Sequence, residues 1–131
     1  MSDNPEIHGE LALQTLAMPR DTNANGDIFG GWLVSQMDLA AGIISKQVTG
    51  GRSATVAIES VSFLKPVKVG STVSCYCRVV KRGRTSVHIA VDVWTWQQVN
   101  QSDGLKVADG LFVFVAIDDS GKPRPLPEST A

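Results

Sequence analysis

The chain of 131 residues is long enough for one domain with a single core and short for two. Hydrophobic residues make up 43% and charged residues 19%, which is ordinary for a globular protein and argues against a disordered chain. The net charge of −1 at pH 7 argues against nucleic-acid binding, and no stretch approaches the roughly 18 consecutive apolar residues of a membrane span.

The N-terminus and the cysteines indicate the compartment. The segment MSDNPEIHGE carries acidic side chains and no apolar run, so it does not resemble a secretory signal. The two cysteines, Cys75 and Cys77, are alternate residues of a predicted strand, and this spacing is too wide for a low-strain disulfide. We therefore expect free thiols in the core and a reducing, cytoplasmic compartment.

The first third of the chain predicts a strand and a long helix. The strand is expected over Leu11 to Leu16, before a polar loop that contains Asn23. The helix begins near Gly30 and ends at Gly50, because glycine commonly terminates helices. Its buried side is a stripe of apolar residues at the i, i+4, i+7 spacing: Leu33, Met37, Ala40, Ile44 and Val48.

After the helix the hydrophobic period changes to two, which predicts four strands. They are expected over Thr55 to Leu64, over Ser71 to Lys81, over Ser86 to Trp94 and, after a polar loop over Gln97 to Gly104, over Lys106 to Ile117. Strands that follow one another in the chain are expected to pair antiparallel, with the helix on one face of the sheet. The fold class is therefore α+β, one domain over residues 1–131, with flexible ends at 1–8 and 121–131.

The predicted elements carry more apolar surface than one chain can bury. The helix is apolar almost all round, and the last strand has apolar side chains on both faces. One helix on one sheet cannot cover this surface, so a homo-oligomer is predicted.

One carboxylate, Asp38, interrupts the apolar helix. At about 100° per residue it shares a narrow stripe with small residues only: Gly31, Ser35, Gly42 and Ser45. Glycine in the middle of a helix costs about 1 kcal/mol against alanine, so Gly42 indicates that another group approaches closely. The stripe predicts a crevice with Asp38 in its floor. An aspartate that caps a neighbour, or that pairs with lysine or arginine, explains the pattern alone equally well.

The pair Gly30-Gly31 marks the start of the helix. Glycine leaves the backbone N–H groups open at the positive end of the helix dipole, where they are suited to an oxyanion or a phosphate. The pair alone is a weak signal, since neither a dinucleotide-binding fingerprint nor a phosphate-loop lysine accompanies it. Asn23 and Asn25 are, by pattern alone, turn residues. No cluster with metal-ligand spacing occurs, so no metal is predicted.

Together these residues resemble a known family. The segment TNANGDIFGGWLVSQMD, residues 22–38, is similar to the signature of hotdog-fold acyl-CoA thioesterases, most closely the small bacterial YciA-type enzymes. The segments VSFLKPVKVG, KRGRTSVHIAVDVW and FVFVAIDDSGKPRPLP extend the resemblance over nearly the whole chain. It implies a hotdog fold, in which a five-stranded antiparallel sheet wraps a long central helix. It also implies dimers with active sites at their interface, and such dimers often assemble into hexamers.

The resemblance assigns roles to three residues. Asp38 matches the helix carboxylate that acts as general base or nucleophile. Gly30 matches the glycine whose N–H polarises the thioester carbonyl, and Asn23 matches the loop asparagine that helps to place water or the thioester. Phe29 stands where many relatives have histidine. No cofactor is implied, because coenzyme A is part of the substrate.

The phosphates of coenzyme A need cations. The densest basic cluster is the turn KRGRTS. Candidate contacts to coenzyme A are Gly31, Lys81, Arg82, Arg84 and Ser86, with Lys65 and Lys68 as weaker candidates. For each basic residue, a solvated hairpin tip is an equally good interpretation.

The expected function is hydrolysis of acyl-CoA to a carboxylate and CoA, without nucleic-acid or membrane partners. A dehydratase or hydratase of the same fold would rely on histidine with an acid, and neither His8 nor His88 lies on the helix or its leading loop. A non-catalytic acyl-CoA-binding module is the main alternative, but a pure binder has no need of the carboxylate of Asp38.

Overall fold

The computed structural model describes residues 6–96 and 104–128. Most of the polar loop expected over Gln97 to Gly104 lies outside these residues. The elements are β1 (Glu10–Leu16), a short 3-10 helix (Pro19–Asp21), α1 (Gly30–Thr49), β2 (Ser53–Phe63), β3 (Thr72–Arg82), β4 (Ser86–Trp96) and β5 (Leu105–Ala116). Each predicted strand is therefore present, with ends within about two residues of the predicted ones.

The five strands form one antiparallel sheet in the order β1-β3-β4-β5-β2, and α1 packs on one face of it. The predicted α+β class and hotdog architecture are confirmed. The expected pairing of β2 with β3, the next strand in the chain, is wrong. Strand β2 pairs with β5 instead and forms an edge of the sheet. The connection after β2 is bound to the loop before α1: the carbonyl of Val67 accepts a hydrogen bond of 3.1 Å from the N–H of Ile28.

The core lies between α1 and the sheet. From the helix it takes the buried residues of the predicted stripe, and from β3 and β4 it takes alternate residues. These strand residues are Val73, Cys75, Cys77, Val87, Ile89, Val91 and Val93. Tyr76, Trp94 and Trp96 form a smaller cluster of their own, with the two indole rings stacked at 6.1 Å. Alternate residues of β3 and β4 therefore pack on opposite faces of the sheet.

Both cysteine thiols are free and buried, as predicted. Burial raises the pKa of Cys75 and that of Cys77 to about 12, so both remain protonated and unreactive near neutral pH. Among the described residues, no helix combines the length and hydropathy needed to cross a membrane.

The C-terminal segment is attached more closely than its proline content indicates. The N–H groups of Arg124 and Leu126 donate to the carbonyls of Ala116 and Arg84 at 2.9 Å each. The guanidinium of Arg124 donates to three backbone carbonyls, those of Ile117, Thr49 and Arg52. One of these belongs to the last turn of α1, whose carbonyls lack helical partners. These contacts were not predicted, because residues 121–131 were expected to be flexible.

Strand β2 is irregular as well as exposed. Its register against β5 shifts between Thr55 and Ala57, which leaves Val56 as an extra residue in a bulge, and shifts again between Glu59 and Ser62. Val56 and Ile58 are 58% and 46% exposed. A long edge strand with exposed apolar side chains is a surface suited to pairing with another chain.

Candidate active site

Asp38 lies in the middle of α1 on the side that faces β2, and its side chain is half-buried. The hydroxyl of Thr55 donates a hydrogen bond of 2.8 Å to its Oδ1 atom. Among the described residues, no lysine or arginine forms an ion pair with Asp38, and Oδ2 has no side-chain or backbone partner. The structure thus disfavours the salt-bridge interpretation and leaves one carboxylate oxygen available.

The rest of the small-residue stripe runs along the same edge of the protomer. Ser45 is buried and its hydroxyl lies 2.7 Å from that of Ser53 on β2. A Cβ atom at Gly42 would lie 3.9 Å from the ring of Phe114. Gly31 and Ser35, near the helix start, are exposed. Ser53 of β2 and Phe114 of β5 therefore lie beside the second half of the stripe, where a cavity of about 380 Å³ opens next to Gly42.

The start of α1 carries free backbone donors. Phe29 is the N-cap residue in an extended conformation, and its carbonyl accepts hydrogen bonds from the N–H groups of Trp32 and Leu33. No described residue accepts a hydrogen bond from the N–H of Gly30 or of Gly31. These two amides lie at the positive end of the helix dipole, which suits them to a developing negative charge.

Two aromatic rings lie against the glycine pair. A Cβ atom at Gly30 would lie 3.1 Å from the Cζ atom of Phe63, and one at Gly31 would lie 3.4 Å from the ring of Phe29. A cavity of about 390 Å³ opens beside Gly30 and is also lined by Phe63 and Lys65. The glycines therefore keep the backbone amides accessible where a side chain would crowd the rings.

Asn23 organises the loop before the helix. Its side-chain oxygen accepts hydrogen bonds from the N–H groups of Asn25, at 2.9 Å, and Asp27, at 3.2 Å. The N–H of Asn23 donates to the carbonyl of Asp27 at 2.7 Å. This is the turn role that the pattern alone indicated, and it leaves only the amide nitrogen of the side chain for a substrate or a water molecule.

The basic hairpin tip is next to the C-terminal segment. Strand β3 continues to Arg82, so the turn is shorter than the predicted Lys81 to Arg84. The guanidinium of Arg82 donates to the carbonyl of Pro127, whereas the side chains of Lys81 and Arg84 are exposed and form no hydrogen bond or ion pair with a described residue. Ser86 closes the turn, since its carbonyl accepts the N–H of Gly83.

Thr55 is the site residue that the sequence did not reveal. It lies 17 residues after Asp38, on a different element, and one threonine in a β-strand is unremarkable by pattern. No group of three histidine, cysteine, aspartate or glutamate residues suited to a metal ion occurs in the described part of the chain.

Comparison with known proteins decides the family. The model of the thioesterase superfamily matches residues 25–100, a range that holds the helix start, Asp38 and Thr55. The chain belongs to the thioesterase superfamily. The described fold, one long helix on a five-stranded antiparallel sheet, agrees with this assignment.

Individual members of the superfamily are similar over nearly their whole length. The acyl-CoA thioester hydrolase YciA of Salmonella typhimurium is 53% identical over 129 residues, which cover 97% of this chain and 96% of that protein. The crystal structure of a hexameric thioesterase from Yersinia pestis is 50% identical with a TM-score of 0.89, covering 94% of this chain and 99% of the other. HI0827, a hexameric broad-specificity acyl-coenzyme A thioesterase solved as an aspartate-to-alanine mutant, is 46% identical with a TM-score of 0.89, covering 94% and 90%.

Proposed function

We propose that this protein is an acyl-CoA thioester hydrolase that releases a free carboxylate and coenzyme A. The observation that carries the proposal is the carboxylate of Asp38, half-buried in an apolar helix, bound by one hydroxyl and free of ion pairs among the described residues. Relatives of the same length that share about half of its residues are acyl-CoA thioester hydrolases, which supports this substrate class.

The proposed reaction assigns one task to each end of the site. Asp38 takes a proton from a water molecule as the water oxygen attacks the thioester carbonyl carbon. The carbonyl oxygen becomes negative and accepts a hydrogen bond from the N–H of Gly30. The C–S bond then breaks, and the thiolate of coenzyme A takes up the proton. In the alternative, the carboxylate of Asp38 attacks the carbonyl carbon itself and water hydrolyses the resulting anhydride.

Two copies of the chain complete one site in this proposal. Eight residues of α-helix separate Gly30 from Asp38 by about 12 Å along the helix axis. That distance is too long for both groups of one protomer to act on the same carbonyl group. A dimer in which the edge strands β2 meet brings Gly30 of one protomer towards Asp38 of its partner. The hexameric relatives favour an assembly of three such dimers.

A double substitution on the β2 edge tests the dimer. Val56→Lys with Ile58→Lys places four charges at one symmetric interface, where like charges cost several kcal/mol, so we expect the dissociation constant to rise by three or more powers of ten. Size-exclusion chromatography with light scattering measures the change. The control Val69→Lys with Val80→Lys alters exposed valines elsewhere and should keep the assembly. A double variant of β2 that assembles like the wild type contradicts the edge-to-edge dimer.

The remaining site residues have supporting roles in the proposal. The amide nitrogen of Asn23, the group of its side chain left free by the loop, helps to place water or the thioester. Lys81, Arg82, Arg84 and Ser86 bind the phosphates of coenzyme A, and because Gly31 lies at the opposite end of α1 from this hairpin, its N–H joins them from the partner protomer. Arg84 is the clearest test residue, because Arg82 also holds the C-terminal segment.

Charge reversal at Arg84 tests phosphate binding. Arg84→Glu should raise KM for acyl-CoA about tenfold with little change in kcat, because an exposed charge contributes up to about 1 kcal/mol and the reversal adds repulsion. The effect should shrink at higher salt and vanish with an acyl-pantetheine substrate that lacks the nucleotide. Lys122→Glu, an exposed reversal on the C-terminal segment, is the control. An unchanged KM for acyl-CoA would show that the tip is only solvated surface.

A thiol-release assay over a panel of acyl-CoA chain lengths tests the function itself. Release of coenzyme A that depends on Asp38 supports the hydrolase. Binding of acyl-CoA without release would instead identify the non-catalytic binding module.

A further inference from the structure

The side chain of Arg124 joins the ends of three elements. Its Nη1 donates to the carbonyl of Thr49, the last residue of α1, at 3.0 Å. Its Nε donates to the carbonyl of Ile117, which follows β5, at 2.9 Å, and its Nη2 to that of Arg52, which precedes β2, at 3.2 Å. A planar guanidinium presents its donors in a fixed fork, so this half-buried side chain holds three carbonyls in one arrangement.

The chain after Arg124 runs along the hairpin tip, residues 81–84. The N–H of Leu126 donates to the carbonyl of Arg84 at 2.9 Å, and the carbonyl of Pro127 accepts a hydrogen bond from the guanidinium of Arg82. Outside their own hairpin, the hydrogen bonds that Arg82 and Arg84 form with described residues go to this segment alone. The segment therefore links the hairpin tip to the place where Arg124 is bound.

The hairpin tip has little else to hold it in place. It carries three cations within four residues, and these repel one another. The side chains of Lys81 and Arg84 are exposed and form no hydrogen bond or ion pair with a described residue. A binding group that is ordered beforehand loses less conformational entropy when its ligand binds. A tip fixed by the C-terminal segment is therefore expected to bind phosphates more tightly than a loose one.

We propose that Arg124 is a positioning residue for coenzyme A: it holds the C-terminal segment so that Leu126 and Pro127 fix the hairpin tip for the phosphates of the substrate. This inference rests on the proposed function, in which the hairpin tip binds coenzyme A. Arg124 does not touch the substrate, because its guanidinium is occupied by the three backbone carbonyls. It contributes to the affinity for acyl-CoA and takes no part in the chemical step at Asp38.

The substitution Arg124→Lys tests the inference without a change in net charge. An ammonium group lacks the planar fork and cannot hold the three carbonyls together, while the backbone N–H of this residue still donates to Ala116. KM for acyl-CoA should rise about three- to tenfold with little change in kcat, because the tip must then be ordered by the substrate. KM for an acyl-pantetheine, which lacks the phosphates, should stay at the wild-type value. Thermal melting and light scattering report stability and assembly.

Arg52→Lys is the matched control. It makes the same chemical change at an exposed arginine, whose guanidinium donates to the carbonyl of Asp119 at 3.4 Å. This contact also ties the start of β2 to the C-terminal part of the chain, but it does not involve the segment that lies along the hairpin tip. KM for acyl-CoA should therefore remain near the wild-type value.

A second variant tests the link between the segment and the tip. Leu126→Pro removes the N–H that binds the carbonyl of Arg84 and leaves the guanidinium of Arg124 unchanged. It should raise KM for acyl-CoA by a similar factor, whereas Leu126→Ala, which keeps the N–H, should not. In the double variant of Arg124→Lys with Leu126→Pro the two effects should not add, because both act through the position of the tip.

The same assays separate this inference from the proposed function. The inference is overturned if Arg84→Glu raises KM for acyl-CoA while Arg124→Lys and Leu126→Pro both keep the wild-type value. It is also overturned if Arg124→Lys changes KM for acyl-CoA and for acyl-pantetheine alike, since a purely structural role predicts equal effects on both substrates. If Arg84→Glu itself keeps the wild-type KM, phosphate binding at the tip is excluded from the proposed function, and the inference fails with it.

Discussion

Replacement of Asp38 by asparagine is expected to lower kcat for acyl-CoA hydrolysis about 10²- to 10⁴-fold, the range that a positioned general base contributes. The amide has the shape of the carboxylate, and its oxygen can still accept the hydrogen bond from Thr55. The fold and the assembly should therefore remain. What is lost is the basic oxygen that faces the reacting water, so kcat and kcat/KM should fall together.

The control for this substitution is Asp119→Asn, which makes the same chemical change on an exposed residue of the C-terminal segment. It should leave kcat unchanged. Thiol release measures both variants, and light scattering measures their assembly. An Asp38→Asn variant that assembles normally and hydrolyses every acyl-CoA tested at a normal rate would exclude Asp38 as base and as nucleophile.

The elements of the fold could be predicted because each has a strong local pattern. The helix stripe from Leu33 to Val48 and the alternation in β3 and β4 predict these elements nearly to the residue. The order of strands in the sheet could not be predicted in the same way. The pairing of β2 with β5 depends on a connection that is anchored through Val67 to the loop before α1, and such a contact leaves no periodic signal.

The candidate site shows the same division between local and distant contacts. Asp38 and Gly30 are visible in the sequence because a carboxylate and a glycine pair are unusual in an apolar helix. Thr55 is not, because its contact depends on the position of β2 beside α1, which brings it to a residue 17 positions earlier. The contacts of Arg124 with the end of α1 were missed for the same reason, since the segment around it has the composition of a loose tail.

The amide of Gly30 can be removed without removing the helix. Proline is favoured at the first position of a helix, where its missing N–H has no helical partner, and Gly30 occupies that position. The preceding residue, Phe29, is already extended with ψ at 150°, as a residue before proline requires. Gly30→Pro should therefore lower kcat about 10²- to 10³-fold, the cost of losing one oxyanion donor, in an enzyme that still folds.

Gly30→Ala separates the loss of the donor from crowding. It keeps the N–H and introduces a Cβ atom at 3.1 Å from Phe63, whose exposed ring can move by the few tenths of an ångström required. Its kcat should exceed that of Gly30→Pro by at least tenfold, since only the proline variant lacks the oxyanion donor. Equal losses in the two variants would assign the effect to crowding by the new side chain and would remove Gly30 from the mechanism.

Mixing the two inactive variants tests whether one site draws on two protomers. If Asp38 and Gly30 act across a two-fold interface, a dimer of one Asp38→Asn chain and one Gly30→Pro chain holds one site with both groups intact. After subunits exchange at random, about half of the dimers are mixed and each has one working site of two, so activity should recover to about a quarter of the wild-type value. Each variant alone should stay inactive under the same exchange conditions. If mixed dimers form and no activity returns, the proposed site that combines Asp38 of one protomer with Gly30 of its partner is excluded.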